Sequence, residues 1–427
     1  MRSIALLAEY DPLHLGHCQQ IRDIRAALGE GSALIVALSS YFTQRGLPAL
    51  LSPRKRAELA LRAGADLVIL VPQIFSSAEG WQFARGGASL LLDTGLVSVF
   101  ACGSECQDLA ALKALAGEIR QHENEWKPEF QNGLRSALSP QQSRSRFLQS
   151  LYPELPVEEI LNRANSRLAL AYLTECLSRP EAQTPRFFLT KRIHENELSA
   201  EEKEKARPAD LCSATVLRER LLSSWEKKTE TTFVSALEET SQDLPVQTIK
   251  ALLEASFREE IPSYEYFYRL SFNLTLREGS PEKLSDFRYW ESGLAGRLYP
   301  LARRLDGNGD AADALVSAVS RNFTKARVQR AFVSLLLGID AECSEACGAR
   351  PAYLFPLAFN PRGKYLLKRM RKAASLPIAG RFSAISSLGA AASAQAEVDR
   401  RAEALWRYLS GSRTNELLLP PLYLKKP

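Results

Sequence analysis

Short runs of apolar residues alternate with longer amphipathic segments over the first hundred residues. The runs cover residues 4–8, 33–38, 67–71 and 97–102, and the segments between them predict helices over residues 16–28, 53–63 and 83–92. Strands that are apolar throughout are typical of parallel sheets whose two faces are both covered by helices. The pattern therefore predicts a doubly wound, Rossmann-like α/β fold, in which ligands are expected beyond the carboxyl ends of the strands.

The alternation stops after the fourth predicted strand. Polar helical segments are predicted over residues 104–185, a fifth strand over 185–189 and its following helix over 214–222. Beyond residue 222 the strand signal almost vanishes, and helices are predicted over residues 246–257, 311–319, 326–337 and 394–408. We therefore predict two domains: an α/β domain over residues 1–222 with a helical insertion at about 104–185, and an all-α domain over residues 223–427.

Charge is distributed unevenly along the chain of 427 residues. Residues 1–320 hold 37 Lys and Arg against 42 Asp and Glu, whereas residues 321–427 hold 18 against 7. The basic excess therefore lies entirely in the last quarter. It is compatible with a solvated basic surface and also with a surface that binds a polyanion such as a nucleic acid.

Other features of the composition exclude several classes of protein. No uncharged apolar run approaches the ~20 residues of a membrane helix, and the first residues lack a signal-sequence pattern. The seven cysteines have neither the spacing nor the neighbouring histidines of a zinc site or disulfide framework. We expect a cytoplasmic protein with no membrane partner and no metal held by cysteine or histidine.

The loop after the first predicted strand carries the clearest chemical signal. It contains His14-Leu15-Gly16-His17 directly before a predicted helix. A helix start offers unpaired N–H groups and partial positive charge to a phosphate, and Gly16 lets a ligand approach the backbone. His14 and His17 lie on one side of the first turn, where both can donate to the oxygens of an α-phosphate during displacement. We predict both as catalytic residues.

A second phosphate-binding element is predicted at the helix after the fifth strand. The sequence Ser213-Ala-Thr215-Val-Leu-Arg218 begins this helix. Ser and Thr at a helix start are commonly plain N-caps, and an arginine further on is commonly exposed. Together with the upstream histidines, however, the pattern favours hydroxyls that hold a leaving pyrophosphate and an arginine that neutralises it.

These motifs resemble those of the nucleotidylyl-transferase superfamily, and a narrower match covers nearly the whole chain. The segments over residues 9–17, 42–49, 83–86, 103–105, 191–193, 324–330 and 359–363 resemble the bacterial tRNA(Met) cytidine acetate ligases. The Gln-Arg-Gly-Leu-Pro-Ala segment over residues 44–49 and the Thr-Lys-Ala-Arg-Val-Gln-Arg segment over 324–330 are the most specific. The resemblance implies ATP-dependent activation of acetate as acetyl-adenylate, without acetyl-CoA, and acetylation of N4 of the wobble cytidine of elongator tRNA(Met).

The resemblance also implies an ATP site. It comprises Leu7, Ala8, Glu9, Tyr10, Asp11, Pro12, Leu13, His14, Leu15, Gly16, His17, Cys18, Gln19, Gln20, Gly103, Asn165, Arg192 and Ile193. Gly103 is expected to leave room for the nucleotide, although it could be a plain turn glycine. Asn165 alone would more commonly be a helix cap, and Arg192 alone a solvated surface residue.

Five positions depart from the usual pattern of this family, and two of them are Leu13 and Leu15 in the first loop. Asp11 stands where an Asn is usual, and its carboxylate near phosphate would need Mg²⁺ or a neighbouring cation to offset it. Ala169 and Ala171 replace a usual Gly and Glu. These departures leave two alternatives: a nucleotidylyltransferase for another small substrate, or a non-catalytic RNA-binding paralogue. We expect ATP as substrate with Mg²⁺.

A basic surface is expected to face tRNA. Lys364, Lys368 and Lys372 recur every four residues, which places them on one face of a helix. Together with Lys325, Arg327 and Arg330 they form the predicted tRNA-binding set, which would recognise shape and phosphate rather than sequence. The alternative is a solvated surface.

Overall fold

The computed structural model describes residues 2–132, 140–192, 213–226, 230–291, 293–305, 311–320 and 322–425. Its sheet contains β1 (Ser3–Ala8), β2 (Ala33–Leu38), β3 (Leu67–Leu70), β4 (Val99–Ser104) and β5 (Arg186–Lys191). These five strands are parallel and lie in the order β5-β4-β1-β2-β3. Every residue of β2 and β3 is buried. Because successive side chains point to opposite faces, both faces of the sheet are covered at its centre. The predicted α/β fold class is confirmed.

Two further strands come from the last quarter of the chain. β6 (Pro356–Phe359) pairs antiparallel with β3, and β7 (Leu422–Tyr423) pairs with β6. Only helices were expected there. Strands of four and two residues are too short to show a periodic pattern. They form because β6 pairs with the edge of β3, which is far away in the sequence, and β7 then pairs with β6. The sheet therefore contains strands from both sides of residue 222, and the division of the chain there stays a prediction.

The helices of the first half follow the strands in turn. α1 (Leu15–Leu28), α2 (Pro53–Arg62), α3 (Gln73–Ser76) and α4 (Gly80–Leu92) connect β1 to β4. Four helices then separate β4 from β5: α5 (Leu109–Asn132), α6 (Pro140–Leu151), α7 (Val157–Asn162) and α8 (Ala164–Leu177). They enclose an apolar cluster of their own that includes Leu112, Ile119, Leu148 and Ile160.

The later helices belong to the same apolar cluster as the sheet, and most of them pack against other helices. They are α9 (Ala214–Trp225), α10 (Glu230–Glu239), α11 (Val246–Phe257), α12 (Tyr264–Arg277), α13 (Pro281–Leu284), α14 (Leu294–Arg304), α15 (Ala311–Ala318), α16 (Lys325–Leu336), α17 (Ala341–Cys347), α18 (Pro361–Ala373) and α19 (Ala390–Ser410). Short 3₁₀ segments cover Glu181–Gln183, Ser241–Asp243, Phe382–Ser387 and Glu416–Leu418. Among the described residues, no helix is both long and apolar enough to cross a membrane.

Two basic helices lie at opposite ends of the sheet. At the carboxyl end, the loop that follows β2 packs its Gly46 against the backbone of Arg330 in α16. At the amino end, the Asn360 N–H at the start of α18 donates to the carbonyl of Asp66, the residue before β3, at 3.1 Å. The carboxyl end is where a doubly wound fold binds its ligand, so α16 lies on the ligand side and α18 on the far side.

Candidate active site

The first turn of α1 holds its two histidines against each other. His14 is the N-cap, and its Nδ1 accepts a hydrogen bond from the Gly16 N–H at 3.1 Å. The His14 N–H in turn donates to Nδ1 of His17 at 3.3 Å, and the two rings stack with centroids 3.7 Å apart. Because both Nδ1 atoms accept, the proton of each neutral imidazole lies on Nε2. Each ring therefore keeps one N–H donor.

Burial keeps both imidazoles neutral. It lowers the pKa of His14 to about 3, and the nearby positive charge of Arg192 adds to the effect. Burial also lowers the pKa of His17 well below its ordinary value, with further contributions from His14 and Arg192. The pair can therefore donate hydrogen bonds to a phosphate at neutral pH without carrying net charge.

A cavity of about 200 Å³ opens at the carboxyl ends of β1 and β4. Most of the predicted ATP-binding residues that line it come from β1, its following loop and α1: Leu7, Ala8, Glu9, Tyr10, Asp11, His17 and Gln20. Gly103, Asn165 and Arg192 line it from other elements. Two predicted pyrophosphate-binding residues, Thr215 and Arg218, line it as well. The structure thus brings the two predicted phosphate-binding elements to one cavity.

Several predicted residues do not line this cavity. Within the described part of the chain these are Pro12, Leu13, His14, Leu15, Gly16, Cys18, Gln19 and Ser213. His14 acts on the cavity through its contact with His17, whereas Leu13 is buried in the core. Ile193 lies outside the described residues.

The start of α9 faces the cavity with Ala214 and Thr215. Ser213 is the N-cap by position, but its side chain is exposed and caps no N–H group in the described structure. The plain N-cap interpretation of Ser213 therefore does not apply here. A second helix N-terminus, with its partial positive charge, consequently approaches the same cavity as α1.

Arg218 and Asp11 form a buried ion pair in the cavity wall. Arg218 Nη1 lies 3.4 Å from Asp11 Oδ2 and donates to the Asp11 carbonyl at 3.1 Å. The other carboxylate oxygen, Oδ1, accepts from the Leu50 N–H at 2.8 Å. A neighbouring cation thus offsets the unusual carboxylate of Asp11. Arg218 Nε is buried and has no partner among the described residues, so one donor remains for a ligand.

Glu9 is the second carboxylate of the cavity. Its Oε1 accepts from the Gln44 N–H at 2.7 Å, and burial raises the pKa of its carboxyl group. In the described structure no hydrogen bond is made by Oε2. The Gln44 loop is itself fixed by α16, because Arg330 Nη1 donates to the Gln44 carbonyl at 3.1 Å.

Gly103 lines the cavity beside Arg192. A Cβ at this position would lie 2.7 Å from Cγ and 2.9 Å from Nε of Arg192. The glycine therefore makes room for the arginine side chain, and the expected contact of Gly103 with a nucleotide stays a prediction.

Asn165 lies in the first turn of α8 and contacts Glu105. Its Nδ2 donates to Glu105 Oε1 at 2.7 Å, while the N–H of Ser166 donates to Oε2 at 2.7 Å. Glu105 therefore caps α8 and holds Asn165 at the cavity wall. Asn165 is not itself the cap of the helix.

Sequence reasoning missed a buried arginine that organises the site. Arg56 is fully buried and donates to the Glu9 carbonyl at 2.6 Å, to Ser39 Oγ at 2.9 Å and to the Leu51 carbonyl at 3.0 Å. It ties the carboxyl ends of β1 and β2 to α2. The signal that could have found it is its position on the apolar face of α2, four residues before Ala60.

The predicted tRNA-binding residues fall into two groups. Lys364, Lys368 and Lys372 are exposed on α18, at the amino end of the sheet and away from the cavity. On α16, Lys325 is exposed, whereas Arg327 lies 3.7 Å from Glu291 and Arg330 packs over the ring of Tyr289 at 5.5 Å. Arg330 therefore fixes the Gln44 loop and is poorly placed to contact RNA.

A cavity at the first helix of a parallel sheet, with the His-x-Gly-His turn beside it, is typical of a nucleotidyl transferase. The family described as HIGH Nucleotidyl Transferase matches residues 1–417. The chain is 30% identical to the tRNA(Met) cytidine acetate ligase of Syntrophotalea carbinolica, over 98% of this chain and 95% of that protein. It is 27% identical to the tRNA(Met) cytidine acetate ligase of Acetivibrio thermocellus, over 90% and 89% of the two. The chain belongs to the tRNA(Met) cytidine acetate ligase family of HIGH nucleotidyl transferases.

Solved structures show the same fold. The chain matches Thermotoga maritima TmcAL bound with alpha-thio ATP with a TM-score of 0.84 at 23% identity, over the full length of both chains. The match to the apo form of the same protein has a TM-score of 0.83 at 24% identity.

Proposed function

We propose that this chain activates acetate with ATP as acetyl-adenylate and transfers the acetyl group to N4 of the wobble cytidine of elongator tRNA(Met). The products are N4-acetylcytidine in the tRNA, AMP and pyrophosphate. The observation that carries the proposal is the convergence of His17, the start of α9 and Arg218 on one cavity. We infer acetate and tRNA(Met) as the other substrates because the relatives are tRNA(Met) cytidine acetate ligases.

The cavity suits a triphosphate that lies between two helix starts. The Nε2–H group of His17 would contact the α-phosphate, and His14 would hold the His17 ring in place from outside the cavity. Thr215, the N–H groups of α9 and Arg218 Nε would contact the β- and γ-phosphates. Arg192 and Arg218 supply the positive charge, since the histidines are neutral.

In the first step a carboxylate oxygen of acetate attacks the α-phosphorus. The new bond joins that oxygen to phosphorus, and the bond from phosphorus to the oxygen that bridges to the β-phosphate breaks. Negative charge accumulates on the non-bridging α-oxygens and on pyrophosphate. Donors that are already in place stabilise this charge without reorganisation. Each such donor typically lowers the activation barrier by about 3–4 kcal/mol.

Glu9 fits a Mg²⁺ ion bound together with ATP. Mg²⁺ usually binds through one or two carboxylates, the phosphates of the substrate and water. Oε2 of Glu9 is the available oxygen, because both oxygens of Asp11 are engaged by Leu50 and Arg218. The ion would neutralise phosphate charge. No group of three or more His, Cys, Asp or Glu among the described residues forms a metal site by itself.

In the second step the exocyclic amine of cytidine attacks the acetyl carbonyl. The C–N bond forms, the bond from the carbonyl carbon to the AMP oxygen breaks, and the amine loses a proton. Cys102 is the thiol that lines the cavity, and burial raises its pKa, so it stays protonated at neutral pH. An adenylate, rather than an acyl-enzyme, is therefore the expected intermediate.

The two basic helices would contact different parts of a tRNA. Lys325 and Arg327 lie on α16, whose backbone packs on the Gly46 loop beside the cavity, and would face the anticodon arm. The α18 lysines at the opposite end of the sheet would contact only a more distant part of the molecule.

Acetate-dependent exchange of labelled pyrophosphate into ATP, measured without tRNA, tests the first step. We expect exchange with the wild-type chain and none with His17→Ala. Addition of elongator tRNA(Met) should then give AMP and N4-acetylcytidine, detected by nucleoside mass spectrometry. Formation of ADP, or exchange that does not need acetate, would contradict the proposal.

A further inference from the structure

A groove of about 920 Å³ lies next to the catalytic cavity. It is lined by Trp81 and Arg85 of α4, Arg144 of α6, Glu175 of α8, and Arg350 after α17. Neither the catalytic chemistry nor the ATP site uses this groove. Arg85 belongs to a segment, residues 83–86, that carries part of the family resemblance.

The groove and the catalytic cavity share two helices. On α4, Phe83 lines the catalytic cavity, whereas Trp81 and Arg85 line the groove. On α8, Leu168 lines the cavity and Glu175 lines the groove, two turns or about 10 Å further along the same face. A polymer that places one residue in the cavity can therefore place a neighbouring residue in the groove.

The groove offers flat cationic surfaces. The guanidinium of Arg144 lies 4.8 Å over the ring of Trp81, and that of Arg288 lies 5.1 Å over the ring of Tyr289. Arg288 is fixed further because Nη1 donates to the Ile74 carbonyl at 3.0 Å. Planar guanidinium groups held by aromatic rings are surfaces on which unstacked RNA bases stack.

The charge of the groove favours a base over a row of phosphates. Four arginines line it, but three glutamates line it too: Glu79, Glu175 and Glu345. Glu175 is nearly fully buried and lies 3.3 Å from Arg85 and 3.0 Å from Arg350. A mixture of fixed donors and carboxylate acceptors matches the edge of a nucleobase, whereas a backbone track would need a basic lining throughout.

The proposed reaction requires a binding site for an unstacked nucleotide beside the target cytidine. A cytidine can enter a cavity of about 200 Å³ only after it leaves the stack of its loop, which also unstacks its neighbour. We propose that the groove binds the unstacked nucleotide adjacent to the target cytidine in the substrate RNA. This inference rests on the proposed function, because that function makes RNA the substrate.

The experiment combines a protein variant with an altered RNA. The probe is a synthetic RNA hairpin that carries the anticodon loop of elongator tRNA(Met), and two further hairpins lack the base on the 5′ or the 3′ side of the target cytidine. Binding is measured for the wild type, for Arg144→Gln and for Trp81→Phe. Arg277→Gln is the matched control, because the Arg277 side chain is 71% exposed and its one ion pair among the described residues is with Glu278.

We expect the Kd of the intact hairpin to rise about tenfold in Arg144→Gln, as for the loss of one stacked base. The wild type should bind one of the two altered hairpins about tenfold more weakly than the intact hairpin. Arg144→Gln should bind that altered hairpin no more weakly than it binds the intact one. Trp81→Phe keeps the core packing and should show the same non-additivity to a smaller degree. Arg277→Gln should bind all hairpins as the wild type does.

Two results would overturn the inference: an unchanged Kd in both groove variants, or losses that add independently for variant and RNA. Acetate-dependent pyrophosphate exchange by the same variants should equal that of the wild type. Failure of the wild type to exchange pyrophosphate or to acetylate tRNA would instead refute the proposed function, whatever the hairpins show.

Discussion

The loop that follows β2 depends on a glycine whose replacement by alanine should disturb both stability and catalysis. Gly46 has φ +75° and packs directly against α16. An added Cβ would lie 2.3 Å from the backbone N and 2.8 Å from Cα of Arg330. Backbone of a helix cannot rotate away as a side chain can. The loop or the helix must therefore shift.

The size of the effect follows from three contributions. The left-handed conformation costs an alanine about 1–2 kcal/mol. Overpacking against fixed backbone adds about 1–3 kcal/mol, and the reduced freedom of the unfolded chain returns about 0.4–1 kcal/mol. We expect Gly46→Ala to lower the free energy of unfolding by about 1–5 kcal/mol. Because Gln44 N donates to Glu9, the KM for ATP should rise as well.

Urea unfolding and steady-state kinetics test this expectation against a matched control. Gly293 has φ +88° but no atom of the described residues within 4 Å of its added Cβ. Gly293→Ala therefore carries the conformational cost alone, at about 0–1.6 kcal/mol after the gain in the unfolded state. Equal losses in the two variants, or an unchanged KM for ATP in Gly46→Ala, would refute the reasoning about the contact with α16.

Three further predictions concern charge. The pKa of His14 is about 3 in the folded protein against 6.5 unfolded, so its neutral form contributes stability above pH 6.5 that is lost as the pH falls. The loss due to His14 should reach about 2 kcal/mol at pH 5 in urea unfolding. His14→Gln should remove this contribution and keep that of His17, and equal pH profiles of wild type and variant would contradict it. Asp11→Asn should lower the KM for ATP several-fold, because Arg218 then faces phosphate without a paired carboxylate; a higher KM would contradict the assigned ion pair. Lys325→Glu should weaken tRNA binding more than Lys368→Glu at low salt, measured by filter binding. The reverse order would contradict the proposal that the anticodon arm binds at the carboxyl end of the sheet, beside α16.

The strands β1 to β4 could be predicted because each contains a continuous apolar run. The strand predicted over residues 33–38 matches β2, and the helix predicted over residues 246–257 matches α11. β6 and β7 could not be predicted, because a short edge strand is defined by its partner rather than by its own pattern. The helix of the α18 lysines was predicted as well, but its position at the amino end of the sheet follows from contacts with Asp66, which no local pattern records.

The candidate site was predictable where residues adjacent in sequence act together. His14 and His17 share one turn, and the start of α9 carries its own phosphate-binding pattern. The pairing of Asp11 with Arg218 and the space that Gly103 leaves for Arg192 arise between residues far apart in the chain. Such contacts form only when the sheet is assembled. The sequence therefore indicated these residues but did not indicate which of them contact each other.

The proposed first step, in which an oxygen of acetate attacks the α-phosphorus of ATP in the cavity beside His17, leaves that oxygen in AMP. Acetate labelled with heavy oxygen tests this step most directly, in a reaction with unlabelled ATP and elongator tRNA(Met) that is analysed by mass spectrometry. We expect one heavy oxygen in each AMP released and none in pyrophosphate. Heavy oxygen in pyrophosphate or phosphate, or AMP without label, would contradict it.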